Sequence, residues 1–158
     1  MDLKYAGSEV LQMAVEIEKK GKAFYESVAG SVKDQKAADL FRFLAEEEVK
    51  HEHLFQDMLK DVETVHNPYD NTEVILYFKA LVDRRVFPSD KEGELMDQHL
   101  NDLSVATRIA VSMEKDSILF YYELLPAIRE KDHEIIQKIV AEEKNHILRL
   151  IEFADTLK

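Results

Sequence analysis

Along four long stretches of this chain, apolar residues recur at alternating steps of three and four, the spacing of one face of an amphipathic helix. The first stripe is Leu11, Ala14, Glu18, Gly21, Tyr25, Val28. The second is Ala37, Phe41, Leu44, Glu48, His51, Phe55, Met58, Val62. The third is Leu103, Thr107, Ala110, Glu114, Ser117, Tyr121, Leu124, Ile128, and the fourth Ile136, Ile139, Glu143, His146, Leu150, Phe153, Leu157. Start and stop signals bound them. Ser8 reads as an N-cap and Gly30 as the residue just past a helix end, so the first helix is expected over 8–29. The second is expected over 34–62, ahead of a break at 66–71 that contains Asn67-Pro68. The third should start at Asn101 or Asp102 and fade between Pro126 and Glu130, and the fourth should start from Asp132 as its cap.

The connections set the topology. Short links make hairpins of the first pair (8–63) and of the second pair (102–158). Residues 64–101 form a long crossover holding a short helix, 73–82, and a looser piece around Pro88 and Gly93. One all-α domain over 1–158 is expected, an antiparallel four-helix bundle with a single long crossover.

Each stripe is interrupted by residues that do not belong in an apolar core. Glu18, Glu48, His51, Glu114, Glu143 and His146 all sit where leucine would be ordinary. A buried carboxylate without a partner costs several kcal/mol, and no Lys or Arg on any stripe offers compensation. Two divalent cations would neutralise the four carboxylates. At about 1.5 Å rise per residue, all six also fall at nearly one height in their hairpins. The chain repeats itself as well: Glu18-Lys-Lys-Gly-Lys-Ala-Phe-Tyr25 is echoed by Glu114-Lys-Asp-Ser-Ile-Leu-Phe-Tyr121. Two Glu-x-x-His pairs, Glu48–His51 and Glu143–His146, follow their lone glutamates by 30 and 29 residues. A single such pair is weak evidence in an acidic chain. Two in register, each matched to a stripe glutamate, point to a two-metal site.

Composition narrows the chemistry. The 158 residues contain no Cys, which excludes disulfides, thiol nucleophiles and Cys-ligated zinc or iron. A net charge of −11 argues against nucleic acid as a partner. No apolar run approaches a membrane span and the N-terminus lacks a signal-peptide core, so a cytoplasmic protein is expected. His53, His66, His99 and His133 fall off the stripes and are expected at the surface.

Two further pairs of residues are candidates to support the site. Tyr25 and Tyr121 lie seven residues after the lone glutamates, placed to orient metal carboxylates or simply to fill core. Glu47 and Glu142 precede the Glu-x-x-His pairs, either as solvated flank or, one helical step round toward the neighbouring helix, as acceptors for the ligand histidine rings. The expectation is a symmetrical exchange, Glu47 on the His146 ring and Glu142 on the His51 ring.

At these residues the sequence resembles the ferritin-like di-iron carboxylate superfamily, and within it the rubrerythrin family. The Glu-x-x-Gly-x-x-Phe-Tyr of the first helix and Glu-Glu-Glu-x-x-His of the second resemble its small stand-alone members. The resemblance implies two Fe ions, with Mn a possible occupant, Glu18 and Glu114 as terminal ligands, Glu48 and Glu143 as bridges, and one histidine on each metal. It implies an oxidoreductase, reducing hydrogen peroxide or O2 with electrons from an external donor such as a rubredoxin, and assembled as a homodimer. Ferritin-like iron oxidation and storage, or a manganese-catalase-like activity, are the alternatives. The chain departs from the pattern at Ser117, where rubrerythrin carries a seventh ligand glutamate, and in lacking the cysteines of a rubredoxin centre.

Overall fold

A computed structural model describes residues 7–63, 72–83 and 100–158. Within them lie α1 (Gly7–Ser31), α2 (Gln35–Glu63), α3 (Thr72–Asp83), α4 (Leu103–Leu124) and α5 (His133–Asp155), with no strand among the described residues. The α1–α2 and α4–α5 hairpins pack into an all-α bundle. The break expected at 66–71, the loose piece around Pro88 and Gly93, His66 and His99 lie outside the described residues.

The helix ends follow local hydrogen bonding. Asp34 caps α2 by accepting the Ala37 N–H at 2.7 Å. Asp102 caps α4, accepting from Ser104 N at 3.0 Å and Val105 N at 3.2 Å. α4 ends where Pro126 removes a donor, and the chain tightens into a 3₁₀ turn, Leu125–Ala127.

Three helix-end expectations are corrected. Ser8 lies inside α1, which already includes Gly7. Gly30 does not end α1, because no described glycine has positive φ and the helix runs on to Ser31, whose hydroxyl returns to Ser27 O at 2.7 Å. Asp132 adjoins α5 without capping it. A 3₁₀ turn, Glu130–Asp132, already carries it into helical φ and ψ, and its carboxylate pairs with Arg129 Nη2 at 2.9 Å.

The interior has two apolar layers. One gathers Leu11, Ile17, Phe55, Phe120, Leu124, Ile136 and Ile139, the other Val28, Phe41, Leu44, Ala106, Ala110 and Leu150. The six polar stripe residues, all buried, lie between these layers on the same four helices. α3 closes against the first layer: Phe78 is fully buried, edge-on to Phe120 at 5.3 Å between ring centroids. The crossover helix thus covers the bundle, extending one residue beyond the expected 73–82 at each end. No helix among the described residues is long and apolar enough to cross a membrane.

Candidate metal centre

The four long helices each bring one or two polar side chains into the same interior layer. In two of them the spacing i, i+3 places Glu48 above His51 and Glu143 above His146 on one helix face. Two overlapping groups result. Glu18, Glu48, His51 and Glu143 offer one ligand atom each, all within 4.8 Å of one another, and so do Glu48, Glu114, Glu143 and His146. Glu48 and Glu143 are common to both. The imidazoles of the two hairpins lie side by side, with centroids 5.9 Å apart and ring planes 26° from parallel. All six sequence-selected residues therefore converge on one place.

The surrounding hydrogen bonds cross between hairpins. Tyr25 of α1 donates to Glu114 Oε1 of α4 at 2.5 Å, and Tyr121 of α4 donates to Glu18 Oε1 of α1. Each tyrosine thus holds the lone glutamate of the other hairpin. His51 Nδ1 faces inward, 3.2 Å from Glu143 Oε1 and 3.7 Å from Glu18 Oε2. Its outer nitrogen, Nε2, lies 2.9 Å from Glu142 Oε2. His146 also turns Nδ1 inward, 2.8 Å from Glu143 Oε2 and 3.4 Å from Glu114 Oε1.

The expected exchange is realised on one side only. Glu47 does not reach His146; it pairs with Lys50 one turn along α2, where an exposed ammonium is nearer than the ring across the bundle. Phe43 stands at His146 instead, perpendicular to it at 6.1 Å, and the Arg149 guanidinium lies 4.6 Å from the Phe43 centroid. Neither residue was singled out in the sequence, because both lie off the stripes. His53 is exposed as expected, whereas His133 is half-buried with Nε2 3.4 Å from Ile128 O.

Burial and mutual repulsion set the protonation of the cluster. Burial, then the charges of Glu18 and Glu143, raise the Glu48 carboxyl well above the carboxylate range. Burial and Glu143 push Glu114 up to about 8 against the pull of His146. Burial opposes charge on the imidazoles, but Glu143 and Glu18 outweigh it and push His51 up to about 12. Glu114 and Glu143 likewise push His146 up to about 9. Burial works to raise Glu143, yet its contacts with His146 and His51 hold it below the usual carboxylate range. Burial and the facing carboxylates hold both tyrosine hydroxyls well above their ordinary value, so they remain protonated donors.

Three observations fit this cluster to cations. Glu18 Oε2, His51 Nδ1 and Glu143 Oε1 are buried without any hydrogen-bond partner. Such atoms are rare in folded proteins and are expected where a ligand completes them. A Cβ on Gly21 would stand 2.9 Å from Glu48 Oε2, so only glycine leaves that carboxylate its position. The donor set, carboxylate oxygen with imidazole nitrogen, suits iron or manganese.

A family model, Rubrerythrin, matches residues 9–154. The chain belongs to the rubrerythrin family. Its fold is shared with the crystal structure of a ferritin-like diiron-carboxylate protein from Thermotoga maritima, with a TM-score of 0.65 and 23% identity, over 98% of this chain and 99% of that one. No curated protein matches the chain. In this rubrerythrin-family bundle Ser117, three residues after Glu114, is buried and brings no carboxylate to the cluster.

Proposed function

We propose that this rubrerythrin-family chain is a di-iron oxidoreductase that reduces hydrogen peroxide or O2 with electrons from a separate donor. The observation that carries the reading is the pair of four-residue groups sharing Glu48 and Glu143 in one buried layer. Glu18, Glu48, His51 and Glu143 would hold one metal ion, and Glu48, Glu114, Glu143 and His146 the other. The shared glutamates would then be the bridges, and each imidazole would bind through the inward Nδ1. Bound there, two ferrous ions would supply the two electrons that, with two protons, convert hydrogen peroxide to two waters.

The chain's own residues prepare that site. Tyr121 fixes Glu18 by donating to Oε1 while Oε2 faces His51 Nδ1, and Tyr25 fixes Glu114 by donating to Oε1, the oxygen that also faces His146 Nδ1. Both hydroxyls keep their protons and so remain donors that orient the carboxylates. Gly21 leaves room for Glu48. Phe41, Phe55 and Phe120, in the layers above and below, exclude bulk water from the interior. The 158 residues hold no cysteine for a rubredoxin-type iron, and the proposed donor is a separate molecule, for which a reduced rubredoxin is the probe. The reading includes a homodimer.

The test joins metal content, turnover and assembly. Anaerobic loading with Fe(II) should give close to two Fe per chain, and loaded protein should consume peroxide with reduced rubredoxin. Glu48→Ala should lose most of the metal and the turnover. Native mass should show a dimer. A hollow assembly of many chains that takes up iron without consuming peroxide would favour storage, and failure to retain metal would overturn the proposal.

A further inference from the structure

The two hairpins repeat in sequence, yet the surroundings of their histidines are not alike. His51 has a carboxylate on its outer nitrogen, Glu142 Oε2 at 2.9 Å. The equivalent glutamate beside the other pair, Glu47, is held by Lys50, and His146 meets Phe43 with Arg149 behind it. The difference is written in the sequence. Phe43 lies five residues before Glu48, whereas the residue five before Glu143 is Lys138; Arg149 lies three after His146, whereas Leu54 lies three after His51.

The inward faces differ as well. All three orphaned atoms of the cluster, Glu18 Oε2, His51 Nδ1 and Glu143 Oε1, belong to the His51 side. On the other side His146 Nδ1 is already engaged, 2.8 Å from Glu143 Oε2. A cation entering the His51 side displaces only the longer contact of His51 Nδ1 with Glu143 Oε1, at 3.2 Å. A cation entering the His146 side must first displace that hydrogen bond.

We propose that the two metal positions are inequivalent, that the position formed by Glu18, Glu48, His51 and Glu143 fills first, and that Glu142 is the positioning residue that sets this order. The proposal rests on the two-metal reading above. A carboxylate on the outer nitrogen keeps the proton there, leaves the Nδ1 lone pair for the metal, fixes the ring and makes the nitrogen a stronger donor. His146 lacks this support and has the Arg149 guanidinium against the Phe43 ring that it meets. Lys138 Nζ, 3.9 Å from Glu142 Oε1, is exposed and draws on the other oxygen, so it does not cancel the contact with His51. At one equivalent of metal the chain then carries a single ion on the His51 side.

Anaerobic titration of the whole chain with Co(II), followed by calorimetry and visible absorption against a competing chelator, reads both steps without recourse to turnover. The wild type should bind two Co(II) in resolved steps. His146→Ala should keep the tighter step and His51→Ala should lose it. Glu142→Gln, which keeps a hydrogen-bond acceptor but removes the charge, should weaken the tighter step by about tenfold to a hundredfold and merge the two. Glu47→Gln should leave both steps where they are, and metal-free circular dichroism should be the same for both glutamine variants. Two equal steps in the wild type, a tight step that survives in His51→Ala, or equal effects of the two glutamine variants would overturn the order proposed here and leave the two-metal reading standing. Fewer than two Co(II) at saturation would overturn that reading itself, and this proposal with it.

Discussion

Gly21 shows how a single missing side chain shapes the centre. A Cβ there would come within 2.9 Å of Glu48 Oε2 and displace a carboxylate shared by both groups of donors. Replacing a glycine inside a helix by alanine stabilises the helix by about 1 kcal/mol. Gly21→Ala should therefore leave the metal-free thermal midpoint unchanged or higher while lowering Fe retention, measured by metal analysis after dialysis. Full retention of two Fe would show that Glu48 does not need the space. Tyr121→Phe removes a donor from Glu18 and leaves a buried carboxylate oxygen with one partner fewer. It should weaken metal binding about tenfold, less than loss of a ligand, by the same chelator competition. At this scale the six convergent residues were legible because a carboxylate on an apolar stripe has no ordinary explanation. Phe43 and Arg149 were not legible, since their approach to His146 depends on side-chain direction off the stripe. Glu47 was misjudged because the repeat implied symmetry, and Lys50, a neighbour on the same helix, broke it.

Between elements, the contrast of Asp102 and Asp132 separates a cap from a lookalike. Asp102 accepts from two otherwise unpaired N–H groups of α4, while Asp132 turns to Arg129. Asp102→Ala should cost about 1 kcal/mol in urea unfolding of the metal-free chain, through loss of the cap. Asp132→Ala should cost less, since its guanidinium partner is partly solvated. Equal costs would contradict the assignment of the cap. Phe78 ties α3 to the bundle, and Phe78→Ala should cost about 3–5 kcal/mol, as large aromatic truncations in packed cores do. The long helices and the short one in the crossover were legible from periodicity. Their ends were less so, because Gly30 and Asp132 satisfy end signals that the chain meets differently, through Ser31 and Arg129.

Across the whole molecule, the buried cluster makes both the stability of the metal-free chain and the stabilisation gained from metal depend on pH. Folding raises Glu114 from 4.5 to about 8 and His146 from 6.5 to about 9, and raises His51 further still. Above their unfolded values, the folded chain holds protons that the unfolded chain releases. This contribution is lost as pH rises through the folded values. Glu143 acts in the other direction, its depressed value favouring the folded chain above 4.5 and ceasing to do so as pH falls below it. The metal-free thermal midpoint should therefore fall between about pH 6.5 and 9. Metal must displace those same protons, so the stabilisation gained on loading should grow over that interval. Calorimetry with and without a chelator reads both slopes. A metal-free midpoint that rises toward pH 9 would show that the cluster does not store protons.

Anomalous diffraction at the iron edge, from crystals of Fe(II)-loaded protein, shows whether six side chains from four helices hold two metal ions. Two peaks are expected in the buried layer, about 3.5–4 Å apart as in bridged two-metal sites. Glu48 and Glu143 should touch both, His51 and Glu18 one, and His146 and Glu114 the other. A single peak, or iron bound away from these residues, would contradict this arrangement.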